Sequence, residues 1–306
     1  MIQLQKFDNL LSLLSYFKNE TICINYLEKL RWNGELKCAY CQHDKVYRCK
    51  GRYKCVKCER IYSVKVGTIF EDTKISLQKW YAAIYLVTSH KKGISSIQLA
   101  TDIGVTQKTA WYMLHRIRTT FGLTTGKDKL SGSCEVDETY IGGAEKNKHK
   151  NKKTYGTQGR STKTKTPIVG IIQRDGELRA EVVPDTKGKN LKEFINKHLE
   201  LGSNLHTDEW RGYKGLDKTY KHTVVKHKAG QYVVGDSHTN TLEGFWSLLK
   251  RGLNGIYHKV SKKHLQKYVN EFVFRYNTRT ESVANRFNVF LKNIAQPIPY
   301  KKLILV

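Results

Sequence analysis

Two short cysteine pairs, Cys38-x2-Cys41 and Cys55-x2-Cys58, limit the N-terminal part of this chain more than any other feature does. In a C-x2-C knuckle both thiolates turn toward one point. Two knuckles with 13 residues between them can close a tetrahedral site with Zn–S bonds of about 2.3 Å. Four thiolates leave no open coordination position, so the single zinc ion they predict is structural. Residues 45–49, 51–55 and 60–66 read as three short strands around a glycine turn, which is the architecture of a zinc ribbon. A segment of about 30 residues has little core, and metal binding would supply much of its folding free energy. The other three cysteines, Cys23, Cys49 and Cys134, are expected to be small core residues. Seven cysteines, an odd number with four of them in knuckles, suit a reducing compartment better than a disulfide framework.

At 306 residues and 39% hydrophobic content, the chain supports two or three domains, one with a sizeable core. The pattern predicts an N-terminal helix and zinc ribbon over 1–70, a helix-turn-helix-like region over 71–125, and an α/β domain over 130–300. Charge narrows the partners. Lys and Arg number 54 against 27 acidic residues, a formal net charge of +27, and such an excess points to a polyanion whose neutralised phosphates release counterions. There is no run of 18 or more apolar residues, and residues 1–17 lack the basic start, apolar stretch and cleavage site of a signal peptide. A cytoplasmic protein with no membrane partner is expected.

Residues 76–121 read as helices. Ser76 caps a run in which Leu77, Trp80, Tyr81, Ile84 and Tyr85 recur at helical spacing. Residues 95–118 then place Ala100 four residues before Gly104, followed by Val105 and the capping Thr106. A glycine turn between two short helices matches the helix-turn-helix, which leaves Gln107, Lys108 and Thr109 at the exposed start of a recognition helix.

From Ser133 onward the period changes to that of strands. Residues 133–141, 167–173, 178–183, 203–208 and 222–226 read as strands, with helices over 191–201, 239–251 and 262–278, an order that builds a mixed sheet with helices on its faces. Within it, residues 145–165 carry Lys146, Lys148, Lys150, Lys152, Lys153, Arg160, Lys163 and Lys165 against one acid. Such a composition buries no core and predicts a mobile loop that orders on phosphates.

Three acids fall at telling places: Asp137 on the first strand, Asp208 just after a buried strand, and Glu243 in a helix. Phosphodiester cleavage by the two-metal route needs carboxylates at one sheet edge, to hold two divalent ions roughly 3.5–4 Å apart. At about 100° per residue, Leu242, Phe245, Trp246 and Leu249 form an apolar stripe, while Asn240, Glu243, Ser247 and Lys250 share the next flank. Glu243 can then reach inward while its helix stays docked, and Lys250 can place an ammonium against the same phosphate.

These segments carry a family resemblance. Residues 64–74, the motifs Val136-Asp-Glu-Thr-Tyr-Ile-Gly-Gly143 and Thr207-Asp-Glu-Trp-Arg-Gly-Tyr213, and residues 238–252 resemble the IS1595 group of insertion-sequence transposases, also called ISXO2-like. The resemblance covers nearly the whole chain. It implies an RNase H-like DDE domain that uses two Mg2+ or Mn2+ ions to nick element ends and join the 3′-hydroxyl to target DNA. The implied partners are double-stranded DNA, both terminal inverted repeats and target, and further copies of the chain in a dimer or larger synaptic assembly. Asp137 and Asp208 match the first two acids. For the third, the motif offers both Asn240 and Glu243, and the seven-residue step from Glu243 to Lys250 favours Glu243. Two other classes stay open: a sequence-specific DNA-binding regulator, which has no need of the three acids, and an RNase H-like nuclease without strand transfer.

Overall fold

The computed structural model describes residues 7–49, 51–124, 126, 128–143, 148–156, 161–225, 240–294, 297, 299, 301 and 303. The chain divides into two compact units, Met1–Thr124 with Thr278–Val306, and Thr125–Asn277.

The first unit begins with α1 (Leu10–Tyr16) and α2 (Glu20–Trp32), capped by the side chains of Asn9 and Asn19. A three-stranded antiparallel sheet follows, β1 (Val46–Cys49), β2 (Arg52–Cys55) and β3 (Ile61–Tyr62), in the order β1-β2-β3. The third strand is much shorter than residues 60–66, because the chain turns at once: Ser63 O accepts from Val66 N, Lys65 O accepts from Thr68 N, and Gly67 takes a φ of +72°. Cys49 corrects the sequence reading. It lies exposed at the end of β1, while Cys23 and Cys134 are buried. Burial of Cys49 would need packing on the outer side of a sheet whose partners lie on the other side.

Three helices form the rest of this unit's frame: α3 (Leu77–Ser89), α4 (Ser96–Ile103) and α5 (Gln107–Phe121). Ser76, Ser95 and Thr106 each accept a backbone N–H in the first turn, which satisfies a donor that would otherwise be orphaned. Every residue of α3 from Trp80 to Thr88 is buried, the mark of a helix enclosed on all sides. One of the elements enclosing it comes from the far end of the chain. In α9 (Val283–Lys292), Phe287 meets Phe7, Phe17 and Tyr81, and Phe290 meets Phe121, with ring centroids 5.2–6.1 Å apart. Residues 278–306 therefore belong with the N-terminal unit, whereas the sequence reading carried the sheet domain to residue 300. Periodicity shows that a helix has an apolar face but not which core receives it.

The second unit is a five-stranded mixed sheet in the order β6-β5-β4-β7-β8. Its strands are β4 (Ser133–Ile141), β5 (Thr166–Gln173), β6 (Leu178–Val182), β7 (Asn204–Thr207) and β8 (Lys221–Val224). Three form an antiparallel meander, and β7 and β8 add in parallel beyond β4. Side chains alternate across the sheet. Cys134, Val136, Val169, Ile171 and Leu205 pack on one face with α6 (Gly188–His198). Ile168, Ile172 and Ala180 pack on the other with α7 (Asn240–Gly252) and α8 (Leu265–Asn277). Gly170 explains how closely α7 approaches. A Cβ there would lie 2.7 Å from Cζ2 of Trp246 and 3.2 Å from Leu242, so only a glycine lets the helix lie flat on β5.

Candidate active site and metal centre

The four knuckle cysteines converge. Sγ of Cys38 lies 3.6 Å from that of Cys58, and Sγ of Cys41 lies 3.6 Å from that of Cys55, with all four sulfurs within 4.8 Å of one another. These separations are far too long for disulfide bonds, at about 2.05 Å, but near the edge of about 3.8 Å of a tetrahedron with 2.3 Å arms. Backbone geometry sets this up twice over. Gln42 and Glu59, the residues just after each knuckle, both take left-handed conformations, with φ of 59° and 56°, which fold each loop back on its sulfurs. Burial opposes ionisation of Cys38, but the N–H groups of Cys41 and Tyr40 and the thiols of Cys41 and Cys58 outweigh it and bring this thiol down to about 7. The cost falls on Cys41, raised to about 12 by desolvation and the neighbouring thiols against the pull of the His43 N–H. A site that crowds four sulfurs this closely fits a zinc ion.

In the second unit, β4 and β7 run side by side in parallel, with Glu135 opposite His206. Continued by two residues, that register sets Asp137 beside Asp208, which follows the last residue of β7. Asp137 lies on the sheet face that α7 covers, and Trp246 Nε1 of α7 donates to its Oδ2 at 3.0 Å. Thr241 Oγ1 donates to Glu135 at 3.1 Å, two residues earlier on the same face. Asp208 Oδ1 accepts the Trp210 N–H at 2.9 Å, which holds the carboxylate at the turn out of β7. On the opposite face, Tyr213 donates to Glu138 at 2.7 Å and ties that turn to β4. Burial, then the charges of Glu138 and Asp208, push the Asp137 carboxyl up to about 7, against the downward pull of the Glu138 and Trp246 N–H groups. Two half-buried hard oxygen donors, one of them with its proton affinity raised in part by the charge of the other, suit a divalent cation such as Mg2+ or Mn2+.

The other sequence-predicted residues are placed less closely. Asn240, Glu243 and Lys250 are all exposed on α7, flanking the buried Leu242, Phe245, Trp246 and Leu249. Among the described residues only the four cysteines bring three or more candidate metal-ligating groups within 4.8 Å, so Glu243 does not close on Asp137 and Asp208 to that degree. Gln107 and Lys108 are exposed at the start of α5, Gln107 donating to Ser96 Oγ at 2.8 Å, and Thr109 is half-buried beside the capping Thr106. Gly104 ends α4 at φ +62° and its carbonyl accepts from Lys79. Of the basic loop, Lys150, Lys152, Lys153 and Lys163 are exposed and Lys148 and Lys165 half-buried, while Lys146 and Arg160 lie outside the described residues.

Comparison with known proteins bears on both units. The ISXO2-like transposase domain model matches residues 129–277, close to the bounds of the second unit. The chain is 30% identical over 274 residues to an uncharacterized protein in transposable element ISH50 of Halobacterium salinarum, covering 85% of this chain and 91% of that protein. The chain belongs to the IS1595 family of ISXO2-like transposases. An uncharacterized transposase-like protein of Haemophilus influenzae is 27% identical over 97 residues, 31% of this chain and 77% of that protein. No solved structure matches. Membership supports a transposase role, and among the described residues no helix is long and apolar enough to cross a membrane.

In this transposase, sequence reasoning missed Glu135, Glu138, Tyr213 and Trp246 as parts of the site. Alternation offered one clue, since Glu135 shares a strand face with Asp137. Trp246 gave none, because its ring packs as core while its one polar atom meets Asp137 across 109 residues of sequence.

Proposed function

We propose that the chain binds the ends of its insertion sequence, cleaves them, and joins the freed 3′-hydroxyl to target DNA. The observation that carries this reading is the parallel β4–β7 pair that sets Asp137 beside Asp208, with Trp246 of α7 bonded to Asp137. The strand order, an antiparallel meander continued by two parallel strands, agrees with an RNase H-like sheet. In this reading Asp137, Asp208 and Glu243 hold two Mg2+ or Mn2+ ions, which supply activation of the attacking oxygen and stabilisation of the leaving one. The chain's own part is orientation. Trp246 fixes Asp137 and Tyr213 fixes the Asp208 turn through Glu138, while Asn240 positions phosphate or water and Lys250 meets phosphate charge. The four cysteines hold one structural zinc in a zinc ribbon, α4 and α5 act as a helix-turn-helix, and the protein works in the cytoplasm as a dimer or larger assembly on paired ends.

Incubating purified protein with linear DNA that carries the element's ends, Mg2+ and a supercoiled target tests this directly. Cutting plus joining is expected. Cutting alone would identify a nuclease, and binding without cutting a regulator.

Mutations in the two basic features should separate. Gln107→Ala and Lys108→Ala should relax sequence preference by about 1–3 kcal/mol per lost base contact. Neutralising Lys150, Lys152, Lys153 and Lys163 should weaken binding to all DNA and flatten its salt dependence. Equal losses on specific and random DNA from both sets, measured by titration at several salt concentrations, would reject base reading by α5.

Asp137 also predicts a pH dependence. With its carboxyl at about 7 in the folded chain against an ordinary 3.8, the metal-free protein keeps this proton while the unfolded chain loses it, so stability falls as pH rises from about 4 to 7. Because only the carboxylate binds a cation, Mg2+ affinity should drop about tenfold per pH unit below 7. Calorimetric titration at pH 6 and pH 8 reads this. Equal affinity and no proton release would contradict it.

A further inference from the structure

The three-stranded sheet of the N-terminal unit has two unlike faces. On one, Arg48 pairs across to Tyr53 and Tyr53 to Tyr62. That face is covered: Tyr53 and Tyr62 are buried, the Trp32 ring of α2 lies 4.9 Å from Tyr53, and Glu28 of α2 holds Arg48 at 2.8 Å. The other face carries the row Tyr47, Lys54 and Ile61, one residue from each strand, with Cys49 and Arg52 paired in the next row. Tyr47 is 67% exposed and Ile61 54%, and Lys54, Arg52 and Cys49 are exposed as well. Among the described residues none covers this row.

Its chemistry selects the occupant. A ring and a branched aliphatic chain flank an ammonium in the centre of the row, so an apolar protein surface laid there would bury the Lys54 charge without a partner, at a cost of several kcal/mol. A polyanion removes that cost. Residues 45–61 carry seven Lys or Arg and one acid, which favours phosphates. Intact duplex, however, hides its base faces in the stack and would leave Tyr47 and Ile61 unused. Unpaired DNA offers both phosphates and open base faces, and aromatic side chains on an exposed sheet are how such strands are held.

We propose that this face binds an unpaired stretch of DNA, one base stacking on Tyr47 beside Ile61 and the adjoining phosphates meeting Lys54 and Arg52. The inference rests on the DNA-cutting reading above, since strand cleavage and joining produce unpaired ends. The zinc-bearing sheet would then hold a frayed or nicked end rather than read a duplex.

The test uses the zinc-loaded full chain and two fluorescent DNAs, a blunt duplex of about 20 base pairs and the same duplex with a single-stranded tail of about five nucleotides. The tailed DNA should bind more tightly. Tyr47→Ala should weaken tailed binding by about 5- to 160-fold, the range for loss of one stacked base, and leave blunt binding unchanged, while Tyr47→Phe should retain the preference. Independently of any variant, tailed DNA should slow alkylation of Cys49, followed by peptide mass spectrometry, and blunt DNA should not. Equal losses on both DNAs, no loss on either, or an unprotected Cys49 would overturn the proposal. So would a fall in sedimenting mass for Tyr47→Ala with DNA binding intact, which would make this face a contact between copies. Failure of the unaltered chain to bind even blunt duplex would instead reject the DNA-cutting reading on which the inference rests.

Discussion

Glu243→Gln is expected to abolish cleavage in Mg2+ while leaving DNA affinity unchanged, and Asn240→Ala is expected to cost only about 10- to 100-fold, as changes to groups behind a metal ligand do. Both residues are exposed on the first turn of α7, so neither substitution opens a cavity. The difference is chemical. A divalent cation prefers a charged carboxylate to a neutral amide, and Gln keeps the shape of Glu while removing its charge. The helix that carries both is anchored on β4 through Trp246 to Asp137 and Thr241 to Glu135, and neither anchor is touched. Asp137→Asn and Asp208→Asn should match Glu243→Gln, since each removes one charge from the same cation site. Cleavage of labelled element ends, with affinity measured separately, decides the matter. A dead Asn240→Ala beside an active Glu243→Gln would make Asn240 the third ligand.

Loss of the zinc ion should be equally severe, though for the fold rather than for the chemistry. The sheet of β1, β2 and β3 buries only Tyr53, Cys55 and Tyr62 among its own residues, and β3 is two residues long. So small a core does not hold three strands, whereas a structural zinc site contributes about 10–16 kcal/mol to folding. Purified protein should carry one zinc ion per chain. Strong chelators or Cys55→Ser should remove it and expose the amides of residues 46–62 to rapid hydrogen exchange. The mixed sheet of residues 133–224 should keep its protection, because its core is built from a separate set of side chains. Unchanged exchange in Cys55→Ser, or protein that folds without bound metal, would contradict a structural zinc.

Much of this site was legible from spacing. The knuckle cysteines announced their convergence because ligand spacing within a short loop leaves the sulfurs few other places to go. Strand β4 could be read over residues 133–141 because its period of two places Val136 in a core and Asp137 on the opposite face. The bond from Trp246 to Asp137, the need for Gly170 beneath Trp246, and the Tyr213–Glu138 tie were not legible. Each joins segments that nothing in the local pattern relates. The same limit hid the outward-facing Cys49, whose exposure depended on which side of the three-stranded sheet found a partner.

The sequence by itself determined the four-sulfur site, the helices of residues 77–121, the apolar stripe of α7, and the placing of Asp137 within a strand and of Asp208 just after one. These follow from rules that act over a few residues: ligand spacing, capping, and periods of 3.6 and 2. Only the tertiary structure decided that β7 pairs with β4 and so sets the two aspartates side by side. It also decided that Trp246 holds Asp137, that Glu243 lies exposed on α7, and that α9 returns to the N-terminal unit. These depend on which distant segments close on one another, a choice set by the whole packing energy against the entropy of loop closure. No window of neighbouring residues contains both sides of that balance.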